Sequence, residues 1–183
     1  MLDVRALGLD GVLEIRPPRF EDERGYFSET WNADAWRAAG IDLDFVQDNH
    51  SLSRDRGVLR GLHYQLKPFA QDKLVRVTRG AVFDVAVDIR SGSASFGRSA
   101  GAILSADLGN QLLVPKGFAH GFVTLEPGTE VQYKVTAPYS AEHDRAIRFD
   151  DPAIGIEWPV AAAELTLSAK DRAAPLLTDA ELG

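Results

Sequence analysis

His63 follows Arg60 by three residues in the run Val58-Leu59-Arg60-Gly61-Leu62-His63-Tyr64-Gln65. Histidine's unperturbed pKa lies nearest neutrality among the side chains, which suits it to take and return protons. Arginine stays charged and offers a rigid fork that fits phosphate. The same run is also compatible with an edge strand carrying a satisfied histidine and a surface arginine, so polar groups elsewhere must decide.

Lys73 opens a stretch otherwise apolar at Leu74, Val75 and Val77. Inside a pocket it would place positive charge beside an oxygen that becomes an enolate; outside one it is a solvated strand end. Tyr133 shares its strand face with Val131 and Val135, so it is either a core tyrosine or a buried phenol serving as a general acid. His120, in Pro115-Lys116-Gly117-Phe118-Ala119-His120-Gly121-Phe122, is a turn histidine, a phosphate ligand or a neighbour of His63. Arg24-Gly25-Tyr26-Phe27-Ser28-Glu29 reads as a strand start or as a ligand lip, with an aromatic ring to stack and Arg24 for phosphate. Ser168-x-x-Asp171 resembles a capping box; the alternative is that Asp171 reaches a histidine and fixes its tautomer.

The elements that must hold these groups are short. Val12–Ile15 reads as a strand, closed by Pro17-Pro18, and an extended aromatic stretch covers Tyr26–Trp31. Asn32 is placed to cap a helix over Ala33–Ala39 that Gly40 ends. Beyond Asp44 come β runs at Val58–Gln65, Lys73–Thr78, Ala81–Ile89, Ser99–Ala106, Gln111–Pro115, Gly121–Leu125 and Val131–Thr136. Within Ala81–Ile89, alternation predicts one buried face. A short helix from Ser168 is interrupted at Pro175. The expectation is an all-β fold, a double-sheet jelly roll with short peripheral helices, forming one domain over 1–183 with a helical tail from about 160.

Composition narrows the chemistry. The 183 residues carry a net charge of −7, which argues against nucleic-acid binding. There are no cysteines, which excludes disulfides, zinc–thiolate sites and cysteine nucleophiles. Four histidines without a His-x-His pair argue against a metal site. The N-terminal residues lack the pattern of a signal peptide and no apolar run suffices for a membrane span, so a cytoplasmic protein is expected.

Several blocks together resemble the dTDP-4-dehydrorhamnose 3,5-epimerase family. They are Gln47-x-Asn49-x-Ser51-x-Ser53, Gly57-Val58-Leu59-Arg60-Gly61-Leu62-His63-Tyr64-Gln65, Gln71-x-Lys73-Leu74-Val75-Arg76-Val77 and Asp84-Val85-Ala86-Val87-Asp88-Ile89-Arg90. The Pro115–Phe122 block, Tyr133-Lys134 and Asp151-Pro152-x-Ile154-Gly155-Ile156-x-Trp158-Pro159 continue the resemblance in order. It implies a metal-free, cofactor-independent cupin-type jelly roll, usually a homodimer in which an N-terminal strand pairs with the partner. The implied substrate is dTDP-4-dehydro-6-deoxy-D-glucose, a dTDP-4-keto-6-deoxyhexose, and the implied product dTDP-4-dehydro-L-rhamnose. His63 is implied to be the base, Tyr133 the acid and Asp171 the partner of His63, with Lys73 near the C4 oxygen. Nucleotide and sugar are implied to be held at Arg24, Phe27, Glu29, Gln47, Asp48, Asn49, Arg60, Lys73, His120, Tyr139, Asp144 and Lys170.

The chain departs from the family pattern at Asp144, where members often carry Glu, and in Ser91–Gly97, which lacks a common Pro-Thr. A one-site epimerase acting at C3 or C5 would share the same residues. A metal-dependent cupin and a non-catalytic nucleotide-sugar binder are the readings from other classes. One geometric condition is explicit: Arg60 and His63 point to opposite faces of a regular strand. If both serve one ligand, the ladder must break near Gly61.

Overall fold

A computed structural model describes residues 2–183; residue 1, the start of the expected single unit, lies outside the described residues. The chain forms strands β1 (Asp3–Ala6), β2 (Leu13–Arg16), β3 (Phe20–Asp22), β4 (Gly25–Phe27), β5 (Gln47–Ser53), β6 (Leu59–Gln65) and β7 (Lys73–Arg79). They continue as β8 (Ala81–Asp88), β9 (Ser99–Ser105), β10 (Gln111–Val114), β11 (Phe118–Thr124), β12 (Thr129–Val135) and β13 (Asp144–Ala146). Helices α1 (Ala33–Ala38) and α2 (Ala169–Arg172) are short. No helix among the described residues is long and apolar enough to cross a membrane.

Two antiparallel sheets face each other, as the jelly-roll expectation requires. One has six strands in the order β1-β2-β10-β7-β12-β5, and the other five in the order β13-β6-β11-β8-β9. Between them pack Val75, Val77, Leu112 and Val131 from the first sheet, with Val82, Ala86, Leu104, Phe118 and Phe122 from the second. Each such fully buried side chain stabilises the fold by about 1.5–3 kcal/mol in transfer terms. The outer face of the five-stranded sheet is covered in turn by Ile147, Ile154, Ile156, Trp158 and Leu177 from the C-terminal part of the chain.

That covering corrects the expectation for Ala81–Ile89. Val85, Val87 and Ile89 lie under the C-terminal segment while Val82 and Ala86 face the other sheet, so both faces are buried. The alternation of apolar and acidic residues marked no solvent face here, because Asp84 and Asp88 are themselves fully buried. Helix α1 follows its sequence signals: Asn32 accepts from the backbone N–H groups of Asp34 and Ala35, and Trp36 is buried. Gln47–Ser53, which shows no apolar alternation, is nevertheless a strand paired along its length with β12.

β6 breaks its ladder where the sharing of one ligand demanded it. His63 sits opposite His120, but Arg60 sits opposite Phe122, so β6 spends one residue more than β11 between the two pairs. Gly61 absorbs the extra residue with φ of 132°. A Cβ built there would lie 2.5 Å from Gly121 Cα and 2.8 Å from the His120 carbonyl oxygen. We expect Gly61→Ala to destabilise the fold by at least about 1–3 kcal/mol, read as a lower denaturation midpoint, because the β11 backbone that the new Cβ meets is held in its own ladder. An unchanged midpoint would mean that β11 moves aside freely.

Candidate active site

A cleft of about 320 Å³ opens between the two sheets. The six-stranded sheet contributes Gln47 and Asn49 from β5, Lys73 from β7 and Tyr133 from β12. The five-stranded sheet contributes Arg60 and His63 from β6, His120 from β11 and Asp144 from β13, and α2 adds Lys170 and Asp171. The break at Gly61 thus puts Arg60 and His63 on one cavity. Tyr139 closes the list of expected residues found here.

His63 and Asp171 form a dyad, Nε2 to Oδ1, at 2.6 Å. Burial alone would raise the Asp171 carboxyl, but the His63 bond and charge, the Ser168 hydroxyl and Lys170 hold it below the ordinary carboxylate range. A carboxylate can only accept, so Nε2 carries the proton and Nδ1 is left as the nitrogen able to take another. The capping reading of Asp171 holds as well: its backbone N–H donates to Ser168 Oγ at 3.1 Å. Backbone and side chain of one residue serve the helix and the histidine separately.

Lys73 is buried and its Nζ donates to the His63 carbonyl oxygen at 3.2 Å. Burial pushes its ammonium down to about 8, against the pull of Asp144 and Asp84. The Tyr133 phenol is pushed up, chiefly by burial, with Arg60 opposing and Asp144 adding to the rise. It therefore keeps its proton at neutral pH. His120 bonds Asp84 through Nε2 at 2.7 Å, forming a second histidine–carboxylate pair. At the rim, Asp144 is bonded to Lys170 and accepts from the Tyr139 hydroxyl at 3.2 Å. Gln47 Nε2 donates to Asn49 Oδ1 at 2.8 Å, and its Oε1 accepts from the Tyr139 backbone N–H at 3.0 Å. Among the described residues, His, Asp and Glu side chains do not gather in threes as a metal site needs. Here they pair.

The sequence matches the model of the dTDP-4-dehydrorhamnose 3,5-epimerase family over residues 6–179. The chain belongs to that family. A dTDP-4-dehydrorhamnose 3,5-epimerase of Sinorhizobium fredii is 55% identical over 175 residues, covering 96% of this chain and 89% of the relative. The crystal structure of a dTDP-6-deoxy-D-glucose-3,5-epimerase from Legionella pneumophila, in complex with dTDP-4-keto-L-rhamnose, superposes with a TM-score of 0.93 at 44% identity. That match covers 98% of this chain and 94% of the other. A 3'-monoepimerase from Streptomyces bikiniensis, in complex with dTDP-quinovose, matches with a TM-score of 0.87 at 32% identity, over 94% and 86% of the two chains.

Four residues that the epimerase-family resemblance assigns to the ligand lie away from the cleft of their own chain. Arg24 stands on the turn between β3 and β4, largely exposed and paired with Asp22 at 2.5 Å. Phe27 ends β4 and is 68% exposed, and Glu29 beyond it is exposed too. The β3–β4 hairpin pairs only with itself, so nothing folds these side chains back over the cleft. Asp48 alternates with Gln47 and Asn49 along β5, points to the outer face, and pairs there with Lys134 at 2.9 Å. In the other direction, the cleft contains Ser51, Gln71 and Ser168, which the sequence marked only as motif or cap residues and not as ligand contacts, and Asp84 stands behind His120. For Asp84 a signal was present: a carboxylate amid Val82, Val85 and Val87 on a central strand.

Proposed function

We propose that this chain converts dTDP-4-dehydro-6-deoxy-D-glucose to dTDP-4-dehydro-L-rhamnose by epimerisation at C3 and C5, without a cofactor, in dTDP-L-rhamnose biosynthesis. One observation carries the mechanism: the base and the acid come from opposite sheets, His63 from β6 and Tyr133 from β12, and face one cleft. The protons at C3 and C5 both flank the C4 ketone, so one base beside one carbonyl can remove either. His63 takes the proton, the C–H electron pair moves into a carbon–carbon double bond, and the C4 oxygen becomes an enolate. The Lys73 ammonium stabilises that charge as it develops. Tyr133 then delivers its proton from the other side, which inverts the carbon, and solvent resets both groups.

Incubation with dTDP-4-dehydro-6-deoxy-D-glucose in deuterated water, followed by NMR, tests this directly. Deuterium should enter at C3 and C5; no uptake at either would sink the epimerase reading. Label at one carbon only would favour the second reading, a one-site epimerase, which the match to the 3'-monoepimerase keeps in play.

The same proposal includes a homodimer and a cytoplasmic setting for the whole chain as one jelly-roll unit. The β3–β4 hairpin and its approach expose Phe20, Tyr26 and Phe27 at 62%, 59% and 68%. An aromatic hairpin without a cover fits exchange with a second copy, which would bring Arg24, Phe27 and Glu29 to the neighbouring cleft. Sedimentation equilibrium should return twice the chain mass, and Phe27→Ala should raise KM with kcat little changed. A monomer at assay concentration with ordinary KM would remove the dimer from the proposal.

A further inference from the structure

Asp84 has no packing reason to be an acid. It is fully buried on β8, on the face it shares with Val82 and Ala86 and opposite Phe122 on β11. One oxygen accepts from His120, while the other is buried without a hydrogen-bond partner among the described residues. A polar atom left bare in such surroundings is costly, and an apolar side chain would pack there without that cost.

Lys73 has the complementary need. It is buried, it donates to a backbone carbonyl, and among the described residues no carboxylate lies within ion-pair distance of it. Its Nζ bonds the His63 carbonyl, His63 sits opposite His120 across the ladder, and His120 is held by Asp84, so the three strands bring Asp84 to the Lys73 side of the cleft. The charges that act on it are Asp144 from β13, Asp84 from β8 and Lys170 from α2, while His63, His120, Tyr133 and Asp171 share its cleft. Asp144 is the stronger of the two carboxylates, but it is ion-paired to Lys170, whose charge opposes it at Lys73. Asp84 meets a ring nitrogen rather than a fixed cation, so its charge is not cancelled by a permanent partner.

We propose that Asp84 is a positioning residue for the epimerisation, holding His120 by Nε2 and supplying the negative charge that keeps Lys73 an ammonium at the buried side of the cleft. Its catalytic consequence rests on the epimerase reading; the charge balance itself is readable without substrate. The test uses the full chain labelled with carbon-13 at lysine Cε, where Lys73 is one of only five lysines and is assigned by its loss in Lys73→Met. In the wild type Lys73 should titrate near 8, not at the ordinary lysine value of 10.5. In Asp84→Asn, whose amide can still accept from His120, the midpoint should fall by about one unit, a tenfold change in the ammonium equilibrium. The alkaline fall of kcat/KM should move with it, so the variant-to-wild-type ratio worsens as pH rises. A role confined to packing would lower that ratio equally at every pH. An unchanged Lys73 midpoint in Asp84→Asn overturns the proposal. Should Asp84→Asn fail to fold, Asp84→Leu, which suits the apolar surroundings, carries the same reading, and an unchanged Lys73 midpoint there overturns the proposal equally. Absence of deuterium uptake by the wild type would overturn the epimerase reading and leave the Lys73 result standing.

Discussion

Replacing His63 with alanine should abolish deuterium uptake at C3 and C5 together, with kcat falling about 10²- to 10⁴-fold. Both carbons lose exchange because a single base serves both. The variant also leaves Asp171, whose side chain is 4% exposed, without its partner. An uncompensated buried carboxylate costs about 1–3 kcal/mol, so a lower denaturation midpoint is expected as well. The sign can be checked by pH. The Asp171 carboxyl is held below its unfolded value, so the dyad stabilises the fold above that value and loses the contribution as pH falls through the folded one. The stability gap between wild type and His63→Ala should therefore narrow in acid. Exchange that persists at one carbon would mean that a second base, with His120 the nearest candidate, works there.

Tyr133→Phe should separate two events that the wild type couples. Phenylalanine keeps the ring that packs against the inter-sheet core, so the fold should hold. His63 can still remove a proton and return a deuteron from its own side, so label should enter with retained configuration. Net inversion should fall about 10²- to 10⁴-fold while exchange falls less. Burial holds the Tyr133 proton well past neutrality, so the wild type should not lose this acid below the ordinary phenol range. Inversion at an undiminished rate in the variant would transfer the acid's role to another group.

The jelly roll was legible because turn residues punctuate β runs at regular intervals, and because Asn32 and Gly40 bracket α1. Local rules failed where the surroundings of a strand, rather than its own residues, set the pattern. Gln47–Ser53 faces a polar cleft and shows no apolar period, although β12 pairs with all of it. Asp84 occupies a position that alternation assigns to solvent, yet it faces the other sheet and its partner is His120, while the C-terminal layer covers the apolar set instead. The break at Gly61 was readable in advance from a conflict of needs, since Arg60 and His63 could meet one ligand in no regular strand. Arg24, Phe27 and Glu29 came from a lip-like motif and from the resemblance, and a single chain gives them nothing to hold. Asp171 was the most distant inference: a cap motif describes its backbone fully, and only the folded chain brings its side chain to His63.

That distance has a consequence for how the molecule comes into being. His63 and Asp171 are 108 residues apart, with Lys73, His120 and Tyr133 all made between them. At translation speeds of about 5–20 residues per second, roughly 5–20 s pass between the emergence of the base and that of its partner. Throughout that interval a nascent chain can pair most of its strands and still lack the carboxylate that fixes the tautomer of its histidine. Competence arrives almost last, with a four-residue helical turn.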